Sequence, residues 1–189
     1  EPDTLQISLE SVRRLITNRT RAVIGVDYAG LPCDYEALRT ITNPRGIALL
    51  SDGCHSLGGR LGNSSVGTLA DMTAFSFHPV KPITTGEGGM VTTNNRELAA
   101  RMRQFRNHGI STDARQREEQ GTWYYEMTML GYNYRICDLQ CALGISQLKK
   151  LDQWKSRRSS IAAAYDDAFR NDSSIRPLAL RPGTTHGYH

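Results

Sequence analysis

Strand-like apolar runs at residues 21–26, 46–50 and 72–77 alternate with segments whose apolar residues recur at helical spacing, which confines the chain to an α/β fold with a helix-covered parallel sheet. Ser8 is placed to cap a first helix that carries Leu9, Val12, Leu15 and Ile16 on one side. Asp34 is placed to cap a second helix through Ala37, Leu38 and Ile41, and the breaker at residues 43–46 separates that helix from the next strand. A fourth apolar run, residues 89–93, follows the third after only the link 78–88. Parallel neighbours need about a dozen connecting residues or more, so this strand is expected to turn back antiparallel. Further on, Asn95 begins a helix through Leu98, Met102 and Phe105 that stops near Gly109, and the polar residues 111–120 are expected to form a mobile loop. Ile136, Leu139, Ala142, Ile145, Leu148 and Leu151 mark an apolar helix, helical spacing resumes from Ile161 to Phe169, and residues 177–183 read as a linker.

In open α/β sheets, ligands gather beyond the carboxyl ends of the strands. Asp52 lies where the second run meets its loop, and Ser76 lies near the end of the third. Lys81 follows five residues after Ser76, between the aromatic run 75–77 and the glycine-rich turn 86–89. An acid and an amine from neighbouring strand ends can face one small molecule. The chemistry that uses such a pair is that of pyridoxal phosphate, with the lysine amine bonding the cofactor aldehyde and the carboxylate keeping the pyridine nitrogen protonated.

Three motifs carry a resemblance over nearly the whole chain: residues 52–58 from Asp52 to Gly58, Ser76-Phe77-His78 with Lys81 and residues 86–89, and Gly131-Tyr132-Asn133-Tyr134-Arg135 followed by Asp138-Leu139-Gln140. In this order the chain resembles the DegT/DnrJ/EryC1/StrS family of sugar aminotransferases, within the fold-type I pyridoxal phosphate enzymes. The resemblance implies an α/β fragment of the aspartate aminotransferase-like large domain, with a mostly parallel sheet and one antiparallel strand, leading into a truncated small domain. Residues 1–153 are then the C-terminal part of the large cofactor-binding domain, and 154–189 the linking helix and the start of the small one.

The resemblance also assigns roles. Lys81 is the cofactor lysine and the proton shuttle; some relatives that remove a sugar hydroxyl carry histidine there, so Lys81 argues for transamination over dehydration. Asp52 meets the pyridine nitrogen, His55 the neighbourhood of the phenolic oxygen, and Ser76 the phosphate. Asn133 reaches the phosphate of the neighbouring subunit's cofactor, which implies a homodimer with shared active sites. His108 and Arg135 either meet substrate anions or serve the helix ends where they sit, and Glu87 with its glycines shapes the turn first. The implied substrates are a nucleotide-linked sugar and an amino-acid donor, glutamate by family habit. Residues 123–127 and 81–87 look most like members that aminate C4 of a UDP-4-keto-6-deoxy-N-acetylhexosamine on the way to pseudaminic acid. Another sugar aminotransferase or dehydratase of the family, or a non-catalytic regulator that keeps the fold, is the alternative.

Composition narrows the other classes. Of 189 residues, 39% are apolar, enough to bury a core. The formal charge of +4 comes from 23 basic and 19 acidic residues with no long run of either sign. The densest basic cluster, Lys149, Lys150, Lys155, Arg157 and Arg158, falls in a helical pattern and reads as a solvated face, so nucleic acid is not expected as a partner. The four cysteines, Cys33, Cys54, Cys137 and Cys141, lack the number and spacing of a disulfide framework and fit a reducing cytoplasm. Cys137 and Cys141 have no second ligand pair, so they read as small buried helix residues and no metal is expected. No stretch of about 18 apolar residues is present, so a membrane role is not expected. The start at Glu1 without methionine and the end at His189 read as those of a piece of a larger protein.

Overall fold

A computed structural model describes residues 1–189. Helix α1, Leu9–Leu15, begins where Ser8 Oγ accepts from Ser11 N at 3.3 Å. Strand β1, Ala22–Val26, follows, then α2, Tyr35–Thr42, whose cap is Asp34 Oδ1 accepting from Ala37 N at 2.9 Å. A 3-10 turn over Asn43–Arg45 ends on Gly46, whose φ of 61° reverses the chain into β2, Ala48–Asp52. A small hairpin of β3, Arg60–Leu61, and β4, Ser64–Ser65, precedes β5, Met72–Ser76, and β6, Gly89–Thr92. The main sheet runs β1-β2-β5-β6, parallel except for β5 with β6. The short link therefore does reverse the last strand, as its length demands.

Register brings the strand ends together. Val26 pairs with Asp52, and Asp52 pairs with Ala74, two residues before Ser76. Asp71 sets that register at the other end of the strands: its Oδ2 accepts from Leu49 N at 2.8 Å and its Oδ1 from Arg39 of α2 at 3.0 Å. The core lies on one face of the sheet, where Val23, Leu49 and Phe75 meet Leu38 and Ile41 of α2 and Val12 of α1. On β1 alternate residues point away, so Ile24 and Val26 are exposed on the opposite face.

After β6, α3, Arg96–Phe105, is capped by Asn95, whose side chain accepts from Glu97 N and Leu98 N. Residues 111–120, expected as a mobile loop, instead contain α4, Ala114–Gln120. Asp113 Oδ1 accepts from Gln116 N and Gln116 Oε1 accepts from Asp113 N, each at 2.9 Å, so two orphan donors are satisfied reciprocally. Helix α5, Asp138–Leu148, and α6, Leu151–Phe169, follow, α6 running unbroken past residue 153. Cys137 precedes α5 and is exposed, and Cys141 is half-buried, which corrects the expectation that both are buried; all four cysteines are free thiols. No helix is long and apolar enough to cross a membrane, and no group of three metal-ligating side chains occurs.

The chain closes on itself through β7, Thr184–Thr185, which pairs antiparallel with β3. Next to it His186 is buried, stacks on Tyr188 at 4.1 Å, and accepts from Tyr188 N at Nδ1 at 2.8 Å. Burial lowers its pKa to about 4. Above the unfolded value of about 6.5 both states are neutral; below it the unfolded chain takes a proton that the folded chain refuses. Stability is therefore expected to fall as pH drops from about 6.5 toward 4, a loss that urea titrations at stepped pH should show and that His186→Gln should reduce. An equal acid loss in that variant assigns the effect elsewhere.

Candidate active site

Asp52 ends β2 and is half-buried; its Oδ1 accepts from Cys54 N at 3.1 Å, and its Oδ2 takes no donor from the protein. That bond turns the backbone immediately after the strand, as aspartates at turns do. Cys54, held beside it, has its thiol pushed up to about 11, first by burial and then by the Asp52 carboxylate, so it stays a neutral thiol. His55 is the next residue. Its Nδ1 accepts from Ala29 N at 3.3 Å, which makes Nε2 the protonated nitrogen of the neutral ring. Burial, then the charge of Lys81, lowers the His55 pKa and favours that neutral form.

Lys81 lies in the loop joining β5 to β6. Both ends of this loop are tied, with Phe77 N donating to Gly88 O at 2.9 Å and Thr85 N to Phe77 O at 3.0 Å. Ile83 anchors it in the core, and Thr84 Oγ1 donates to Phe77 O at 3.0 Å and accepts from Gly86 N at 2.9 Å. Helix α5 braces the outside, where Gln140 Nε2 donates to Glu87 O at 2.8 Å. Lys81 Nζ itself makes no hydrogen bond or ion pair, although its charge acts on both Cys54 and His55. Ser76 closes β5 on the same side, its Oγ accepting from His78 N at 3.3 Å.

Asp52, His55, Ser76 and Lys81 thus gather beyond the carboxyl ends of β2 and β5. Asn133 is not brought to them. It bridges Asn107 on an exposed segment docked against the end of α3, where Tyr132 N donates to Phe105 O at 2.7 Å and Tyr134 N to Arg106 O at 2.9 Å. These bonds satisfy carbonyls that a helix C-terminus leaves free. Arg135 Nη1 donates to Asn107 Oδ1 at 2.7 Å, and the rings of Tyr132 and Tyr134 stack at 4.9 Å. Asp27, at the exit of β1, is fully buried beside this strand-end cluster and was not singled out from the sequence.

The donor set fits pyridoxal phosphate. An amine with no internal partner and a carboxylate with one free oxygen stand at adjoining strand ends without pairing with each other, while a neutral Nε2–H and a serine hydroxyl lie on the same side.

A mostly parallel sheet with one antiparallel strand gives the chain the fold of a fragment of the pyridoxal-phosphate-dependent aminotransferases. More narrowly, the chain belongs to the DegT/DnrJ/EryC1/StrS aminotransferase family, whose sequence pattern matches residues 1–189. It is 40% identical over its full length to the uncharacterized protein MJ1066 of Methanocaldococcus jannaschii and 36% identical to the spore coat polysaccharide biosynthesis protein SpsC of Bacillus subtilis, covering 49% of each. The chain thus spans about half the length of the curated relatives it matches. Among solved structures, Helicobacter pylori PseC, an aminotransferase involved in the biosynthesis of pseudoaminic acid, matches with a TM-score of 0.82 and 37% identity over 89% of this chain and 43% of that one. The PLP-form of the putative sugar aminotransferase Spr1654 of Streptococcus pneumoniae matches with a TM-score of 0.87 and 28% identity over 100% of this chain and 51% of that one.

Proposed function

We propose that the full-length protein is a pyridoxal-phosphate-dependent aminotransferase that moves an amino group from L-glutamate to the C4 keto carbon of a nucleotide-linked sugar, a UDP-4-keto-6-deoxy-N-acetylhexosamine. The observation that carries this reading is the unpaired Lys81 amine, whose charge acts on Cys54 and His55 next to Asp52, in a chain of this family. The likeness to PseC and SpsC supports the sugar class.

Pyridoxal phosphate, when bound, supplies an electron sink for the carbanion that amino-group transfer requires. Asp52 would accept a charge-assisted hydrogen bond from its ring nitrogen and keep that nitrogen protonated. His55 would donate from Nε2 toward the phenolic oxygen, and Ser76 would donate its hydroxyl to the phosphate. Lys81 Nζ would hold the cofactor and would carry the protons that the transfer requires, from the α-carbon of the donor and to C4 of the sugar. Asn133 serves the phosphate in a neighbouring subunit, which makes the working enzyme a homodimer with shared sites. The free thiols suit a cytoplasmic setting. The same reading places the change from large to small domain near residue 153.

The test is product analysis. Full-length protein with pyridoxal phosphate, L-glutamate and the UDP-4-keto sugar should yield 2-oxoglutarate and a UDP-4-amino sugar in equal amounts by mass spectrometry. A dehydrated sugar moves the protein to the dehydratase members, and no conversion of any keto sugar by a protein that binds the cofactor sinks the transfer reading.

A further inference from the structure

Asp27 is a carboxylate with no solvent exposure and no basic side chain in ion-pair contact. Isolated buried charge is costly, so a chain that keeps one surrounds it with donors. Here Oδ1 accepts from the Tyr35 hydroxyl at 2.6 Å and from Cys33 N at 2.9 Å, and Oδ2 accepts from the Ser56 hydroxyl at 2.6 Å. A phenol has one proton, and with it on Asp27 the 2.7 Å contact between Tyr35 and Ser51 has the serine as donor. Ser51 and Ser56, both buried, bracket the stretch that carries Asp52 and His55.

The backbone adds two further ties between the exits of β1 and β2. Asp27 N donates to Asp52 O at 3.0 Å. Ala29 N reaches His55 Nδ1 from a residue held at φ 55°, a left-handed conformation that a non-glycine residue adopts only when its surroundings impose it. The turn after β1 therefore grips the 52–56 loop at its start, at its imidazole and at its end.

The geometry points to Asp27 as a positioning residue of the proposed site: acting through Ser56, its carboxylate sets the loop so that the free oxygen of Asp52 and the Nε2–H of His55 face the ligand held by Lys81. This inference rests on the aminotransferase reading. Burial raises the Asp27 pKa while Ser56 and Tyr35 oppose that rise, consistent with a carboxylate held by hydroxyls rather than by a cation.

Three single variants of the full-length protein and one double variant test it: Ser56→Ala, Asp27→Ala, Asp27→Asn, and Asp27→Ala combined with Ser56→Ala. Two readouts separate positioning from bulk stability. Titration with pyridoxal phosphate gives the affinity, and 15N spectra of histidine-labelled protein before cofactor addition, with the His55 signal assigned through His55→Gln, give the imidazole tautomer. Ser56→Ala leaves Tyr35 and Cys33 N on Asp27 but strips Oδ2 of its one donor; it is expected to fold and melt below wild type, to bind the cofactor about tenfold more weakly under conditions where it is fully folded, and to show a mixed His55 tautomer in place of Nε2–H. Asp27→Asn keeps an acceptor for Tyr35 and Cys33 N and offers an amide to Ser56, so it should stay within about threefold of wild type. Adding Ser56→Ala to Asp27→Ala should cost little more than the single change, as expected for residues acting through one bond; if Asp27→Ala does not fold, Ser56→Ala decides alone. Wild-type affinity and tautomer in Ser56→Ala overturn the inference, as do affinity losses that only track melting temperature. A wild type that binds no cofactor overturns the aminotransferase reading instead.

Discussion

Lys81→Ala in the full-length protein is expected to abolish the visible absorption band that pyridoxal phosphate develops on a lysine, and to slow amino-group transfer by roughly 10²–10⁴-fold, while the melting temperature stays close to wild type. The structure gives a reason for each half of that result. Lys81 Nζ makes no hydrogen bond or ion pair in the protein, and the loop around it is held by other groups: Ile83 in the core, Thr84 on Phe77 O, and Gln140 of α5 on Glu87 O. Removing a side chain that holds nothing should alter stability by no more than about 0.5 kcal/mol. Lys81→Arg sharpens the test, because a guanidinium keeps the charge that acts on His55 yet cannot deprotonate to attack an aldehyde. Arginine should therefore fail as completely as alanine. A Lys81→Ala protein that keeps its band, or transfers at a rate within tenfold of wild type, would falsify the assignment of Lys81.

The parts of this molecule that could be read from the sequence are those settled by neighbours in the chain. Ser8, Asp34 and Asn95 each cap the helix expected of them, because a cap needs only a short polar side chain and a backbone N–H two or three residues on. The antiparallel turn of β6 followed from the length of its link. Helix α4 was equally local and still missed: the pair Asp113 and Gln116 is a capping box, but a helix with no buried residue has no apolar stripe to announce it. Strands β3, β4 and β7 had no local signal, since each is two residues long and β3 pairs Arg60 with Thr185 from the far end of the chain. Asp27 was passed over for a related reason. An acid after a strand is ordinary, and what distinguishes this one is Ser56, 29 residues away, closing on its second oxygen.

The same distinction separates the proposed site residues. Asp52, Ser76 and Lys81 lie within one run of the chain, and strand order alone suffices to bring them to one end of the sheet. Asn133 was read from its motif, but its proposed partner belongs to another subunit, so a single chain has nothing to place beside it. What the chain does show is why Asn133 stands where it does. The segment around it is tied to the last carbonyls of α3 and wedged against Gly109, which makes its placement a matter of backbone packing as much as of side chains.

Gly109→Ala should expose that dependence as a large loss of stability. Gly109 has φ +69°, and a Cβ built there would stand 1.7 Å from Met129 O, an overlap that only movement of the backbone can relieve. Its own groups knit the same place together: its N donates to Gln104 O at 2.9 Å and its O accepts from Thr128 N at 2.9 Å. A left-handed alanine costs about 1–2 kcal/mol and overpacking of this kind about 1–3 kcal/mol, so a loss near 3 kcal/mol is expected in urea unfolding of the full-length protein. Gly121→Ala supplies the control. It too sits at positive φ, +64°, but with nothing within 4 Å of the added carbon, so it should lose only the conformational part, about 1–2 kcal/mol. Gly131 would meet Gly109 N at 2.2 Å from the other side, so Gly131→Ala should resemble Gly109→Ala and not Gly121→Ala. If Asn133 serves the cofactor phosphate of a neighbouring subunit, both wedge variants should also release pyridoxal phosphate more readily than Gly121→Ala does. Equal stability losses in Gly109→Ala and Gly121→Ala would mean that the packing of residues 127–134 against the end of α3 is looser than these distances require.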